Sequence, residues 1–180
     1  MVPQNSFAPL PPEEWPERIG HLRDDFAGRL NVYRVMAHHP DLLASWRDLR
    51  AHVVTRNALG AVRLEIAILR TAVRLGSDYE WSHHVDRSRA LGMEDERIFS
   101  VAGSPDAMLP EDAVIARCVD TLLDRTRLEP AELEALERLV GKPGVLDLMA
   151  TVGFYKSLGC IAETFAIPLD DGVEPFKATR

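Results

Sequence analysis

From Glu17 to about Pro168 the apolar residues return every three or four positions, and stretches in which apolar and polar residues alternate are almost absent. A side chain returns to one face of an α-helix after three or four residues and to one face of a strand after two, so this pattern calls for helices throughout. The expected fold class is all-α. A chain of 180 residues, 46% hydrophobic and 27% charged, can bury one substantial core and is too short for two ordinary domains.

Prolines and glycines divide the pattern into segments. Pro3, Pro9, Pro11, Pro12 and Pro16 fix φ and withhold donors, so residues 1–16 read as an extended arm before a helical domain at 17–169 and an irregular tail at 170–180. Ile19, Leu22, Phe26, Leu30, Tyr33 and Met36 share one face of a helix expected over 17–37. His39 precedes Pro40 and is discouraged from helix; Pro40 suits the first turn of PDLLASWRDLRAHVV. After a connection at 56–60, the segment Ala61 to Leu75 is apolar on more than one face and should be the central helix, ended by Gly76. Helices are then expected at 77–91, 94–101, 110–125, 130–140 and from Pro143 to about Ala166. Gly153 and Gly159 in the last one allow a close contact or a kink.

Several function classes are disfavoured. With a formal net charge of −7 and no basic run, the chain repels phosphate backbones and anionic membrane surfaces, so nucleic acid and membrane are not expected partners. No uninterrupted apolar run reaches membrane-spanning length, and MVPQNSFAPLPPEEWP lacks the basic-then-apolar pattern of a signal peptide, so the expected location is cytoplasmic. Cys118 and Cys160 form neither a CxxC pair nor a zinc-binding spacing, and both fall in apolar helical patterns where a buried thiol is expected. HExxH and HxxxH spacings are absent, and no metal or organic cofactor is expected.

The stretch RLGSDYEWSHHVDRSRALG concentrates the polar chemistry. Ser77 and Glu80 have the spacing of a capping box, in which the serine accepts from the third helical amide and the glutamate reaches back to the Ser77 amide. Glu80 and His84 are also four apart, on one helix face, close enough to exchange a proton. The helix dipole favours an ionised Glu80 and burial opposes it, so the sequence leaves the protonation of the pair open. Glu65, a lone carboxylate in the apolar central helix, needs a buried partner, and His84 is a candidate.

Secondary pocket candidates are Tyr79, Ser77, Trp81 and His39. Tyr79 can donate to a substrate oxygen or pack with its hydroxyl at a rim; Ser77 reads as a cap and Trp81 as core or pocket wall. His39 either lines a pocket or caps a helix, and His83 should face solvent or an interface. Arg70 and Arg74 can clamp a substrate carboxylate or pair with surface acids.

Glu65, then Tyr79-Glu80-Trp81 fourteen positions on, then His84, Ala90, Gly92 and Ile98, resemble the carboxymuconolactone decarboxylase and AhpD-like family. VYRVMAHHPDLLASW, RLEIAILRTAVRLGSDYEW and LMATVGFYKSLGCIAETFAIPL extend the resemblance over roughly residues 25 to 169. It implies an all-α domain in which the Glu65 and Glu80/His84 helices form a central antiparallel pair, and a homo-oligomer, often a trimer or hexamer, with the apolar C-terminal helix in the contact. In AhpD-type peroxide reductases two cysteines stand where this chain has Ser77 and Glu80, with relay residues at the Glu65 and His84 positions; without thiols, disulfide exchange is lost. The decarboxylase branch implies cofactor-independent proton transfer on a small carboxylated lactone or keto acid, with Glu65, Glu80 and His84 as the catalytic set. The competing expectations are an AhpD-like antioxidant of peroxiredoxin type, restricted to Cys118 or Cys160, and a non-catalytic ligand-binding helical protein.

Overall fold

The computed structural model describes residues 6–177; Pro3 and the rest of residues 1–5 of the proline-rich arm, and residues 178–180 of the tail, lie outside the described residues. Among the described residues eight α-helices form and no strand does: α1 Phe26–Arg29, α2 Asn31–Met36, α3 Pro40–Ala51, α4 Ala61–Leu75, α5 Asp78–Ala90, α6 Asp95–Ser100, α7 Pro110–Arg125 and α8 Pro130–Thr164. The all-α fold class follows directly from the three-and-four spacing.

α4 is the axis of the molecule. Every residue from Leu64 to Val73 is buried, and α5, α7 and α8 pack around it. That accounts for a helix with apolar side chains on several faces. Gly76, at φ 68°, ends α4 in the left-handed conformation, and the short link through Ser77 turns the chain back into α5, as expected of an antiparallel pair.

The continuous helix expected over 17–37 does not form. A 3₁₀ turn at Glu17–Leu22 is followed by two short helices, α1 and α2, separated by Leu30 in an extended conformation. Asp25 caps α1 through its side chain, restarting the helix, and a β-carbon on Gly28 would lie 1.8 Å from the Arg23 carbonyl oxygen. The chain therefore folds back on itself where only glycine fits. The apolar spacing still serves the core, since Ile19, Leu22, Tyr33 and Met36 are all buried. The described part of the arm is also more ordered than a plain extended segment: Pro12–Glu14 is a 3₁₀ turn, Trp15 is buried, and Leu10 is bonded to Arg34.

After α3 the helix widens into a π-turn at His52–Arg56, where the sequence suggested that the helix ran on through Val54 before a connection at 56–60. Asp147 of α8 anchors it, accepting from the Ala58 amide at 2.6 Å and lying 2.7 Å from His52.

α8 is interrupted at Gly141, whose φ of 69° and ψ of 173° separate a first helix from one containing Pro143 in its opening turn. On length and hydropathy α8 could cross a membrane, but 56% of its most apolar window is buried within the protein. Gly159 lets α8 approach the α4–α5 link, because a β-carbon there would meet Leu75 Cδ1 at 3.0 Å; Gly153 faces open space. Cys118 is buried as expected, whereas Cys160 is exposed. An apolar pattern on more than one face does not say which side of the helix meets the core, so Cys160 was misplaced.

The Gly141 conformation is essentially restricted to glycine, and the bend directs the second half of α8, with Tyr155 and Leu158, toward α5. Gly141→Ala is expected to lower unfolding free energy by about 1–3 kcal/mol, measured by urea denaturation. An unchanged midpoint would show that the bend is not held by this residue.

Candidate active site

The start of α5 decides where Glu80 goes. Ser77 accepts from the Glu80 amide at 3.4 Å, but its own amide donates to the Ala72 carbonyl at 2.9 Å. The reciprocal half of the expected capping box is therefore not made, because the end of α4 has already taken the Ser77 amide. Glu80 turns inward instead. It is 4% exposed, its Oε1 is buried without a hydrogen-bond partner among the described residues, and its Oε2 lies 3.8 Å from His84 Nε2. Burial pushes its pKa up to about 7; nearby His83 opposes the shift while Asp170 and Glu163 add to it.

One turn on, His84 crosses to α4. Its Nδ1 lies 2.5 Å from Glu65 Oε2, and Arg87 Nε approaches the other Glu65 oxygen at 3.3 Å. With Nδ1–H donating to Glu65, Nε2 carries the lone pair and faces Glu80. Burial lowers the His84 pKa despite the opposing pull of Glu65, so the ring is held neutral. Tyr155 of α8 packs edge-on against it, ring centres 5.0 Å apart.

Glu80 and His84 line a cavity of about 290 Å³ with Tyr33, Arg50, Arg87 and Tyr155. Glu65 stands behind the imidazole and lines an adjoining pocket of about 220 Å³, with Arg87 in the wall of both. A larger depression of about 610 Å³ lies elsewhere, beside Met93 and Met108; the cation in its wall, Arg97, is bound by Asp112 and Glu111. The acid–base array belongs to the smaller cavity.

The remaining candidates take other places. Tyr79 lines the cavity, but its hydroxyl donates to Asp170 Oδ2 at 2.7 Å and accepts from the Val32 amide. Ser77 is a fully buried cap, and Trp81 lies in the core. His39 is exposed and caps α3 by accepting from the Leu42 amide, so its role as a pocket residue is corrected. Arg70 forms a fork on Asp120 at 2.7 and 2.6 Å, and Arg74 binds Asp120 and Asp124. These two arginines are thus occupied, and the cavity arginines are Arg50 and Arg87. Arg87 was legible in principle, being three residues after His84 and seven after Glu80 on the same helix face. Arg50, Tyr33 and Tyr155 come from helices remote in sequence, and nothing local to them signals the site.

His83 does not face open solvent, because the C-terminal tail covers it. Asp170 lies 2.7 Å from His83 Nε2, takes the Tyr79 hydroxyl and accepts from the Asn31 amide at 2.8 Å; farther on, Phe176 exchanges hydrogen bonds with Ser82. Val173 of this tail contributes to the cavity wall. For His83, burial lowers the pKa but the bonds to Asp170 and the Tyr79 carbonyl outweigh it, a net rise. For Asp170, burial raises the pKa but the bonds from His83, Tyr79 and Asn31 outweigh it, a net fall.

Asp170→Ala is expected to cost about 3 kcal/mol in a denaturant melt, as for one partner removed from a largely buried pair. Stability from Asp170 is complete above its ordinary value of 3.8 and lost as pH falls through the lowered one; that from His83 is complete below 6.5 and lost as pH rises through the raised one. The deficit should be largest between those values, with faster exchange at the Phe176 amide. A deficit that does not change with pH would remove the ionic part of this account.

Residues 40–116 match the carboxymuconolactone decarboxylase family. The fold is similar to a crystal structure from Ralstonia eutropha JMP134, described as an alkylhydroperoxidase AhpD core and an uncharacterized peroxidase-related protein; identity is 18%, coverage 92% of this chain and 93% of that one, TM-score 0.76. It is also similar to an uncharacterized peroxidase-related protein from Silicibacter sp. TM1040, at 13% identity, 94% coverage of each chain and a TM-score of 0.77. Curated protein sequences give no match. The matched segment carries Glu65, Glu80 and His84, and the chain around it has the all-α fold of these AhpD-like structures.

Proposed function

We propose that this protein is a cofactor-independent acid–base enzyme that decarboxylates a small carboxylated lactone or keto acid. The observation that carries the reading is the position of His84, hydrogen-bonded through Nδ1 to buried Glu65 while Nε2 faces buried Glu80 at the cavity wall, whose Oε1 has no hydrogen-bond partner among the described residues. A carboxyl group with a pKa of about 7 beside a neutral imidazole holds a proton that can be delivered near neutral pH.

In the proposed reaction the bond between the substrate carbon and its carboxylate breaks, releasing CO₂ and moving the electron pair into an adjacent carbonyl as an enolate. Protonated Glu80 transfers its proton to that carbon. The resulting Glu80 carboxylate regains a proton from solvent by way of His84 Nε2, and Glu65 stabilises the transient imidazolium. The 3.8 Å between Glu80 and His84 exceeds a direct hydrogen bond and suits a bridging water or reacting atom. Tyr33 and Tyr155, kept protonated by burial, are O–H donors available to the enolate oxygen. Glu80 and His84 are the catalytic residues; Glu65 acts through His84 as a positioning residue.

Thiol chemistry finds no sulfur in this cavity wall. Cys118 belongs to a different pocket and burial pushes its thiol up to about 12, while Cys160 is on the surface of α8. Assembly into a homo-oligomer through α8 is part of the same proposal, supported by Leu146, 67% exposed, and neighbouring Met149.

The test is CO₂ release from a panel of carboxylated lactones and β-keto acids. Glu80→Gln and His84→Asn should each lower kcat by about 10²–10⁴-fold. Glu65→Gln should lower it while shifting the acidic limb of the pH profile, since it alters His84. Because the reactive form of Glu80 is protonated, wild-type kcat/KM should fall as pH rises through about 7. Wild-type protein inert toward the whole panel, or turnover indifferent to Glu80→Gln and His84→Asn, rejects the reading.

A further inference from the structure

The cavity contains a strong cation that the acid–base reading leaves unused. Arg87 is engaged with Glu65. Arg50, from the last turn of α3, also lines the cavity, yet no carboxylate among the described residues pairs with it, and its Nε is buried without a hydrogen-bond partner there. What holds it is aromatic. Its Cζ lies 3.8 Å over the Phe26 ring centre and 5.7 Å from that of Tyr33.

Stacking of this kind occupies the face of a guanidinium and leaves its in-plane N–H edge for a planar, two-oxygen acceptor. A partly buried cation with no counterion is unfavourable, and an arriving carboxylate removes that cost. The volume of about 290 Å³ suits a single-ring or similarly small acid. Glu80 and Asp86 in the same wall disfavour a more highly charged ligand such as phosphate.

We propose that Arg50 is the anion-recognition residue of this cavity, receiving the carboxylate of a small planar organic acid whose skeleton lies against Tyr33, Tyr155 and Leu158. The inference rests on the acid–base reading only for what happens after binding.

Isothermal titration of the full chain with benzoate, benzamide and inorganic phosphate tests it. Benzoate should bind the wild-type protein, with Kd raised at least about tenfold by Arg50→Gln, as for loss of hydrogen bonds to a charged group. Arg50→Lys, which keeps the charge but loses the fork, should fall between them and serves if Arg50→Gln does not fold. Benzamide affinity should be the same in the wild-type and Arg50→Gln proteins. Benzoate that fails to bind the wild-type protein, binds the folded Arg50 variants equally well, or is outcompeted by less phosphate overturns the proposal. Binding requires no turnover, so a failed decarboxylation assay leaves this result readable, and unchanged affinity in the Arg50 variants removes the subsite while Glu80 and His84 keep their roles.

Discussion

The hydrogen bond between His84 and Glu65 joins the two central helices within the buried interior, and the architecture of the site depends on it. Glu65 is 1% exposed and His84 4% exposed. A carboxyl group withdrawn from water in this way is unfavourable without a partner, so α5 must dock on α4 in the one register that brings the imidazole to it. The same contact directs the other ring nitrogen toward Glu80. A requirement of burial and a disposition for proton transfer thus arise from one bond.

Around that bond the protein sets neighbouring groups in different states. Glu80 is buried with one oxygen unpartnered and holds its proton to about pH 7, while Asp170, equally a carboxyl group, accepts from Tyr79, His83 and Asn31 and is kept ionised. The difference is one of donors: burial raises both, and only Asp170 has enough hydrogen bonds to reverse it. His83 and His84, adjacent in sequence, diverge for the same reason. His83 meets Asp170 and is favoured as the cation, whereas burial outweighs Glu65 at His84 and favours the neutral ring. The C-terminal tail therefore completes the electrostatics of the cavity as well as its wall.

Much of this was legible along the chain. The three-and-four spacing located α4, α5 and α7 to within a residue or two, because a core helix announces itself through periodic burial and its ends through Pro110, Gly76 and Ser77. It did not disclose the breaks near Asp25 and Leu30, since a broken helix can keep its apolar residues facing the same core. Glu80 and His84 were visible as a local pair, and Glu65 as a charge that its apolar surroundings required to be matched. Ser77 and Glu80 looked like a reciprocal cap until the end of α4 claimed the Ser77 amide, a competition between neighbouring elements that spacing alone does not resolve.

By itself the sequence determined the helical class, the central place of α4 and the presence of an acid–imidazole pair on α5, because each is a matter of residues within a few turns of one another. Tertiary structure decided which groups surround that pair. Arg50, Tyr33 and Tyr155 reach the cavity from helices far apart in the chain, Asp170 of the tail holds Tyr79 and His83 of its wall, and Arg70 and Arg74, nearer in sequence, are drawn away to Asp120 and Asp124. The physical reason is that burial and charge pairing depend on distance through space, and a helical period carries no information about which remote side chain will fill the other half of a contact.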